Sequence, residues 1–85
     1  MDIKELFQAA VANSKTLSAK PDNETLLKLY SLYKQETEGD AGEDSSNPFD
    51  FVAKAKYNAW AALKGQTQDT AMQAYIDLVN KLKGL

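Results

Sequence analysis

Apolar residues recur at helical spacing in four segments of the chain, and helix-breaking residues separate these segments. Pro21 ends the first segment because proline cannot continue a helix interior, and Gly65 ends the third. Residues 39–49 combine glycines, acids and a proline, which are the residue types that form loops. No segment shows the strict apolar–polar alternation of a half-buried strand. The sequence therefore predicts an all-α protein with four helices.

Residues that favour helix starts precede three of the four segments. Asp2 can cap the first helix, Asp22 or Asn23 the second, and Thr67 the fourth, because their side-chain oxygens accept from free backbone N–H groups. The third helix is expected to start within residues 50–52 and to run to residues 63–64. The fourth helix has the cleanest apolar stripe, formed by Ala71, Met72, Tyr75, Ile76, Val79 and Leu82.

The connection of residues 39–49 is long for a link between helices, which usually takes about two to eight residues. A connection of this length lets the chain run back along the bundle, so the second and third helices need not be antiparallel neighbours. Gly39 is expected to end the second helix in a left-handed conformation.

Composition excludes several classes of function. The 85 residues make one domain, and neither cysteine nor histidine occurs in them. Their absence excludes disulfides, thiol nucleophiles, Ser-His-Asp triads and the usual zinc sites. No segment resembles a signal peptide or reaches the length of a membrane span. We therefore expect a cytosolic protein without stable membrane insertion.

The net charge of −2 argues against a dedicated DNA or RNA binder, since such domains are usually basic. All ten basic residues are lysines. Recognition of phosphate would therefore use point charges and hydroxyl groups rather than bidentate guanidinium groups.

Aromatic rings and lysines alternate in two of the helical segments. Tyr30 and Lys34 lie four residues apart, with Tyr33 beside them, and Lys56 and Trp60 have the same spacing. If the two helices face a common groove, their ammonium and phenol groups can converge on a phosphate while a ring stacks on a base. Aromatic residues at helical spacing are also typical of a helix core. The pattern leaves both interpretations open.

Other functions also have to be weighed for a small acidic helical chain. A protein-interaction module would use the aromatic residues only as core. A carrier of covalent phosphopantetheine needs Asp-Ser-Leu at a helix start, and the nearest match is residues 44–46 (DSS) in the loop. A calcium loop starting at Asp40 would need glycine and glutamate where Ser45 and Phe51 stand. Carboxylates on helix surfaces are usually solvated, so we expect no catalytic site.

In their order along the chain, several segments resemble the acyl-CoA-binding protein family over nearly the whole length. The specific ones are residues 30–35 (YSLYKQ), 54–60 (KAKYNAW) and 71–76 (AMQAYI), with 7–11 (FQAAV) and 20–22 (KPD) before them. The resemblance implies a four-helix bundle of up-down-down-up topology, in which the long loop is the overhand connection. It also implies a single acyl-CoA-binding domain, residues 1–85, that binds medium- to long-chain acyl-CoA without catalysis or a cofactor.

The same resemblance implies a monomeric intracellular carrier that maintains a pool of acyl-CoA, and it assigns the site. Tyr30, Lys34 and Lys56 match the positions that hold the 3′-phosphate region of the nucleotide. The other matching positions contact the ligand or line the acyl groove, and they are Lys15, Ser31, Leu32, Tyr33 and Tyr75 for the ligand and Val11, Leu26 and Leu27 for the groove.

Two positions near the third helix depart from the family pattern. Val52 stands where members often have lysine, and Tyr57 where they often have tryptophan. We expect this region to carry less positive charge and different packing than is typical.

Overall fold

The computed structural model describes residues 2–44 and 47–84, and it contains the four expected helices. These are α1 (Ile3–Ser14), α2 (Asn23–Glu38), α3 (Phe51–Ala61) and α4 (Gln68–Leu82). None of these helices combines the length and the apolar character that crossing a membrane requires, within the described residues. The prediction of an all-α protein is confirmed.

Each helix begins at a side-chain cap, because an oxygen of the cap accepts a hydrogen bond from the backbone N–H three residues later. The caps and their N–H partners are Asp2 with Glu5 (2.9 Å), Asp22 with Thr25 (2.8 Å), Asp50 with Ala53 (3.0 Å) and Thr67 with Thr70 (3.1 Å). Of the two candidates for α2, Asp22 is therefore the cap.

Two helix ends differ from the sequence-based expectation. α3 ends at Ala61, because the chain tightens there into a turn in which Leu63 N–H bonds to the Trp60 carbonyl at 2.9 Å. Gly39 has a positive φ of 80°, but its ψ of −152° lies outside the left-handed helical region. The expected left-handed cap at Gly39 is therefore wrong, although the positive φ still explains the glycine.

α1 runs antiparallel to α2. Phe7, in the first half of α1, stacks on Tyr33 in the second half of α2, with ring centroids 6.1 Å apart. Lys15, just after α1, lies in one groove with Leu26 from the first half of α2. The contacts thus pair the beginning of one helix with the end of the other.

α3 runs parallel to α2. The ammonium of Lys56 lies 5.3 Å from the ring centre of Tyr30, and one turn further along both helices Lys34 lies 4.9 Å from the ring centre of Trp60. The indole Nε1 of Trp60 donates to the carbonyl of Gly39, directly after α2, at 2.8 Å. The long connection has therefore carried the chain back to the start of α2.

α4 runs antiparallel to α2. Gln68, at the start of α4, donates through Nε2 to the carbonyl of Glu36, near the end of α2, at 2.8 Å. Further along α4, Tyr75 shares a groove with Leu29 from the first half of α2. With α1 and α3 placed as above, the topology is up-down-down-up.

The hydrophobic core lies among α1, α2 and α4, and α3 contributes no fully buried residue to it. α4 packs against both α1 and α2, whereas α3 packs only on α2. The buried apolar residues are Phe7, Ala10, Leu29, Leu32, Ala71, Met72, Tyr75, Ile76 and Val79. The stripe predicted for α4 thus forms one side of the core, with Leu82 partly buried against it.

A buried amide joins the end of α2 to the turn between α3 and α4. Gln35 is fully buried, and its Nε2 donates to a carboxylate oxygen of Asp40 at 2.8 Å and to the Gln66 carbonyl at 2.9 Å. The same Asp40 oxygen accepts from the backbone N–H of Gly65 at 2.9 Å. These bonds fix the position of the end of α3 beside the end of α2.

The carboxylate of Asp40 gives this junction a pH dependence. Hydrogen bonds from the Gly65 N–H and from the Gln35 amide lower the pKa of Asp40 below its ordinary value of 3.8. A carboxylate with a lowered pKa in the folded state stabilises the fold above its unfolded pKa, and the stabilisation is lost as the pH falls through the folded pKa.

We therefore expect Asp40→Asn to lower the urea midpoint at neutral pH and to reduce the loss of stability between about pH 5 and about pH 2. Asp77→Asn, which makes the same change at an exposed carboxylate of α4, is the matched control. The same acid dependence in wild type and Asp40→Asn would contradict this role of Asp40.

Candidate functional site

Three open grooves meet at Tyr30 of α2. The α2–α3 groove lies between the first halves of these two helices and has a volume of about 450 Å³. The α1–α2 groove, of about 320 Å³, lies on the other side of Tyr30, and the loop groove, of about 350 Å³, lies between α3 and residues 42–44. Tyr30 lines all three, so a single elongated ligand can contact them together.

The α2–α3 groove has apolar walls that stay open to solvent. Leu26 and Leu27 form the α2 wall, and Phe51, Val52 and Ala55 form the α3 wall. Phe51 is 78% exposed and Val52 is 65% exposed. Large apolar side chains are seldom left exposed together without a function. This surface is suited to an apolar ligand that lies along α2.

Our sequence-based site did not include the α3 wall of this groove. Phe51, Val52 and Ala55 follow the i, i+1, i+4 spacing of one helix face, and this was the available signal. Val52 was noticed only as a departure from the family pattern. Its valine side chain extends the apolar wall where a lysine would have brought a charge.

The α1–α2 groove contains several of the predicted residues. Lys15, Val11, Tyr33 and Tyr75 line it together with Leu26, which it shares with the α2–α3 groove. Lys15 is the C-cap of α1 rather than a residue within the helix.

Tyr75 occupies the inner side of this groove. Its side chain is buried, and its hydroxyl donates to the hydroxyl of Ser14 at 3.1 Å. Its ring meets Phe7 edge-on, with the centroids 5.1 Å apart. Tyr75 therefore belongs to the core and also faces the groove.

The loop groove is lined by Glu43 and Asp44 as well as by Lys56, and contacts between α3 and the long connection hold it. Lys54 forms an ion pair with Asp44, with Nζ and Oδ2 2.7 Å apart, and the hydroxyl of Tyr57 donates to the Gly42 carbonyl. At Tyr57, the departure from the family's usual tryptophan thus provides a hydrogen bond to the loop.

Lysines and aromatic rings pair across α2 and α3 rather than along each helix. The spacing along each helix predicted that Lys34 pairs with Tyr30 and Lys56 with Trp60. In the structure, Lys34 lies over Trp60 and Lys56 lies over Tyr30. Contacts of this kind contribute about 0.5–1 kcal/mol at exposed sites. They hold both lysines at the interface of α2 and α3, where Lys56 lines the α2–α3 groove and the loop groove.

Lys34 has a second partner on its own helix. Its ammonium forms a hydrogen-bonded ion pair with the carboxylate of Glu38, one turn further along α2. This bond raises the pKa of Lys34 above its ordinary value of 10.5, so the side chain is cationic at neutral pH.

Two predicted residues lie on the buried side of α2. Ser31 and Leu32 are buried, and the hydroxyl of Ser31 donates to the Lys28 carbonyl at 2.9 Å. Neither residue lines the three grooves around Tyr30. Their contact with a ligand stays a prediction, as does that of the other site residues. Ser45 and Ser46, which came nearest to a phosphopantetheine attachment site, lie outside the described residues.

Comparison with known proteins identifies the family. The family model described as "Acyl CoA binding protein" matches residues 4–79. The chain belongs to the acyl-CoA-binding protein family. The resemblance inferred from the sequence motifs is therefore confirmed.

Relatives of this acyl-CoA-binding protein family member include both small proteins and part of an enzyme. Acyl-CoA-binding protein homolog 1 of Caenorhabditis elegans is 47% identical over 76 residues, which cover 89% of this chain and 88% of that protein. Enoyl-CoA delta isomerase 2 of Rattus norvegicus is also 47% identical over 76 residues, but these cover only 19% of the enzyme.

The fold of the family also matches. The crystal structure of acyl-CoA-binding protein 2 of Oryza sativa superimposes with a TM-score of 0.89 at 34% identity, covering 95% of this chain and 90% of that one. The expected fold class, a four-helix protein with a long connection between α2 and α3, is thus confirmed.

Proposed function

We propose that this chain binds medium- to long-chain acyl-CoA without covalent chemistry and serves as an intracellular carrier that maintains a pool of these thioesters. The observation that carries the proposal is the junction at Tyr30, where an open apolar groove that includes Lys56 meets a second groove that includes Lys15. Acyl-CoA has the same two parts, an apolar chain and a phosphorylated head. The names of the small relatives support this assignment.

The acyl chain is assigned to the apolar surface of α2 that lines the α2–α3 groove. This surface includes Leu26, which also lines the α1–α2 groove. Val11, Leu26 and Leu27 line it on α1 and α2, and Phe51 and Val52 on α3. Each methylene removed from water contributes about 0.8 kcal/mol. Affinity should therefore rise with chain length until the groove is filled.

The CoA head is assigned to the lysines and hydroxyls around Tyr30. Tyr30, Lys34 and Lys56 are proposed to hold the 3′-phosphate region, which the position of Lys56 over Tyr30 and the nearness of Lys34 to α3 support. Lys15, from the other side of Tyr30, is proposed to reach the same head group. Hydrogen bonds from ammonium groups to phosphate are charge-assisted and stronger than neutral ones.

No catalytic group is needed for this function, because binding alone hides the thioester and its chain from water. We further propose that residues 1–85 act as a single cytosolic domain and as a monomer, with no nucleic-acid partner and no stable membrane insertion.

A calorimetric comparison of three ligands tests the proposal. Palmitoyl-CoA should bind far more tightly than palmitate or CoA, because only palmitoyl-CoA has both an acyl chain for the apolar groove and phosphates for Lys15 and Lys56. In a series of acyl-CoA esters, affinity should rise by up to about fifteenfold for each two methylenes and then level off. Equally weak binding of all three ligands would overturn the proposal and favour a protein-interaction module.

A pair of lysine variants tests the assignment of the head group. Lys56→Met should weaken binding of palmitoyl-CoA by about tenfold, since it removes one charge-assisted hydrogen bond. Lys28→Met is the matched control, because Lys28 is an exposed lysine of α2 that lines none of the three grooves. Equal effects of the two variants would show that general charge, not Lys56, attracts the ligand.

A further inference from the structure

Glu38 stands at a position that helix physics disfavours. It is the last residue of α2, and no basic residue accompanies it in the last turn. A carboxylate there faces the negative end of the helix dipole. Its pairing with Lys34 also has the weaker order, because an acid that precedes its lysine by four residues stabilises a helix more than one that follows it. Local helix stability therefore does not account for Glu38.

The only side chain to which the structure joins Glu38, among the described residues, is Lys34. The ammonium of Lys34 contacts both this carboxylate and the ring of Trp60, whose centre is 4.9 Å away. Lys34 is 24% exposed and Glu38 is 53% exposed. A solute anion can thus reach the pair from the side of Glu38, while Trp60 holds the lysine from the side of α3.

We propose that Glu38 is a built-in competitor for the phosphate of the ligand. It occupies the ammonium of Lys34 in the free protein, and a phosphate must displace it. The inference rests on the proposed function, in which Lys34 binds the CoA head. The displaced carboxylate stays on the last turn of α2, so it also repels the incoming phosphate. Glu38 thereby lowers the affinity of the site for the anionic head.

The expected effect is modest, because exposed ion pairs contribute little. Converting the carboxylate to an amide of the same shape should tighten binding of palmitoyl-CoA by about two- to fivefold at low ionic strength. The gain should shrink towards nothing at about 0.5 M salt, where screening shortens the range of charge interactions. A change of Glu to Gln at an exposed helix position should leave the fold intact.

The experiment measures the dissociation constant of palmitoyl-CoA by calorimetry for wild type, Glu38→Gln, Lys34→Gln and the double variant. Asp77→Asn is the control for net charge, since it removes one exposed carboxylate from α4, and Asp77 lines none of the three grooves. We expect Glu38→Gln to bind more tightly than wild type. We expect no gain from Asp77→Asn, and none from Glu38→Gln when Lys34 is already replaced, since the double-mutant cycle isolates their coupling.

Each of the following results would overturn the inference. Unchanged or weaker binding by Glu38→Gln would show that the carboxylate does not compete. An equal gain from Asp77→Asn, or a gain that persists in the double variant, would assign the effect to net charge. Failure of the proposed function itself would be visible separately, because wild type would then bind palmitoyl-CoA no better than it binds CoA.

Discussion

The buried amide of Gln35 helps to hold α3 in position beside α2, and these two helices line the α2–α3 groove. Its Nε2 connects α2 to Asp40 at the start of the long connection and to Gln66 in the turn between α3 and α4. Because α3 packs only on α2 and adds nothing fully buried to the core, its position along α2 depends on contacts of this kind. The bond from Trp60 to the Gly39 carbonyl acts at the same end. With that end fixed, the first turn of α3 lies beside the first half of α2.

This arrangement explains why the groove is open. The buried core lies among α1, α2 and α4, and the apolar surface between α2 and α3 stays exposed at Phe51 and Val52. A domain of this size has little interior to use for a cavity. A surface groove that no other helix covers is suited to a long apolar chain, because such a chain can bind there without any opening of the core.

Local rules were enough to predict most of the fold. Side-chain caps such as Asp2 and Thr67 act within three residues, and the stripe on α4 follows from helical spacing alone, so both could be found in the sequence. The conformation of Gly39 and the end of α3 at Ala61 could not, because they depend on the hydrogen bonds that join the end of α2 to the turn after α3.

The site was predicted in part for the same reason. The residues around Tyr30 were visible as rings beside lysines, but spacing along one helix paired Lys56 with Trp60, whereas the parallel packing of α2 and α3 places Lys56 over Tyr30. Helical spacing puts Phe51 and Val52 on one face of α3, but only the packing of α3 beside α2 makes that face a wall of the groove. The role of Glu38 likewise depends on Trp60, which holds Lys34 from another helix.

The central claim is that the ligand lies on the face of α2 around Tyr30, and mapping of backbone amide chemical shifts during titration with palmitoyl-CoA tests it most directly. The expected result is that the largest changes fall in the first half of α2 and the first turns of α3. Changes of the same size confined to the exposed side of α4, around Asp77, would contradict the account.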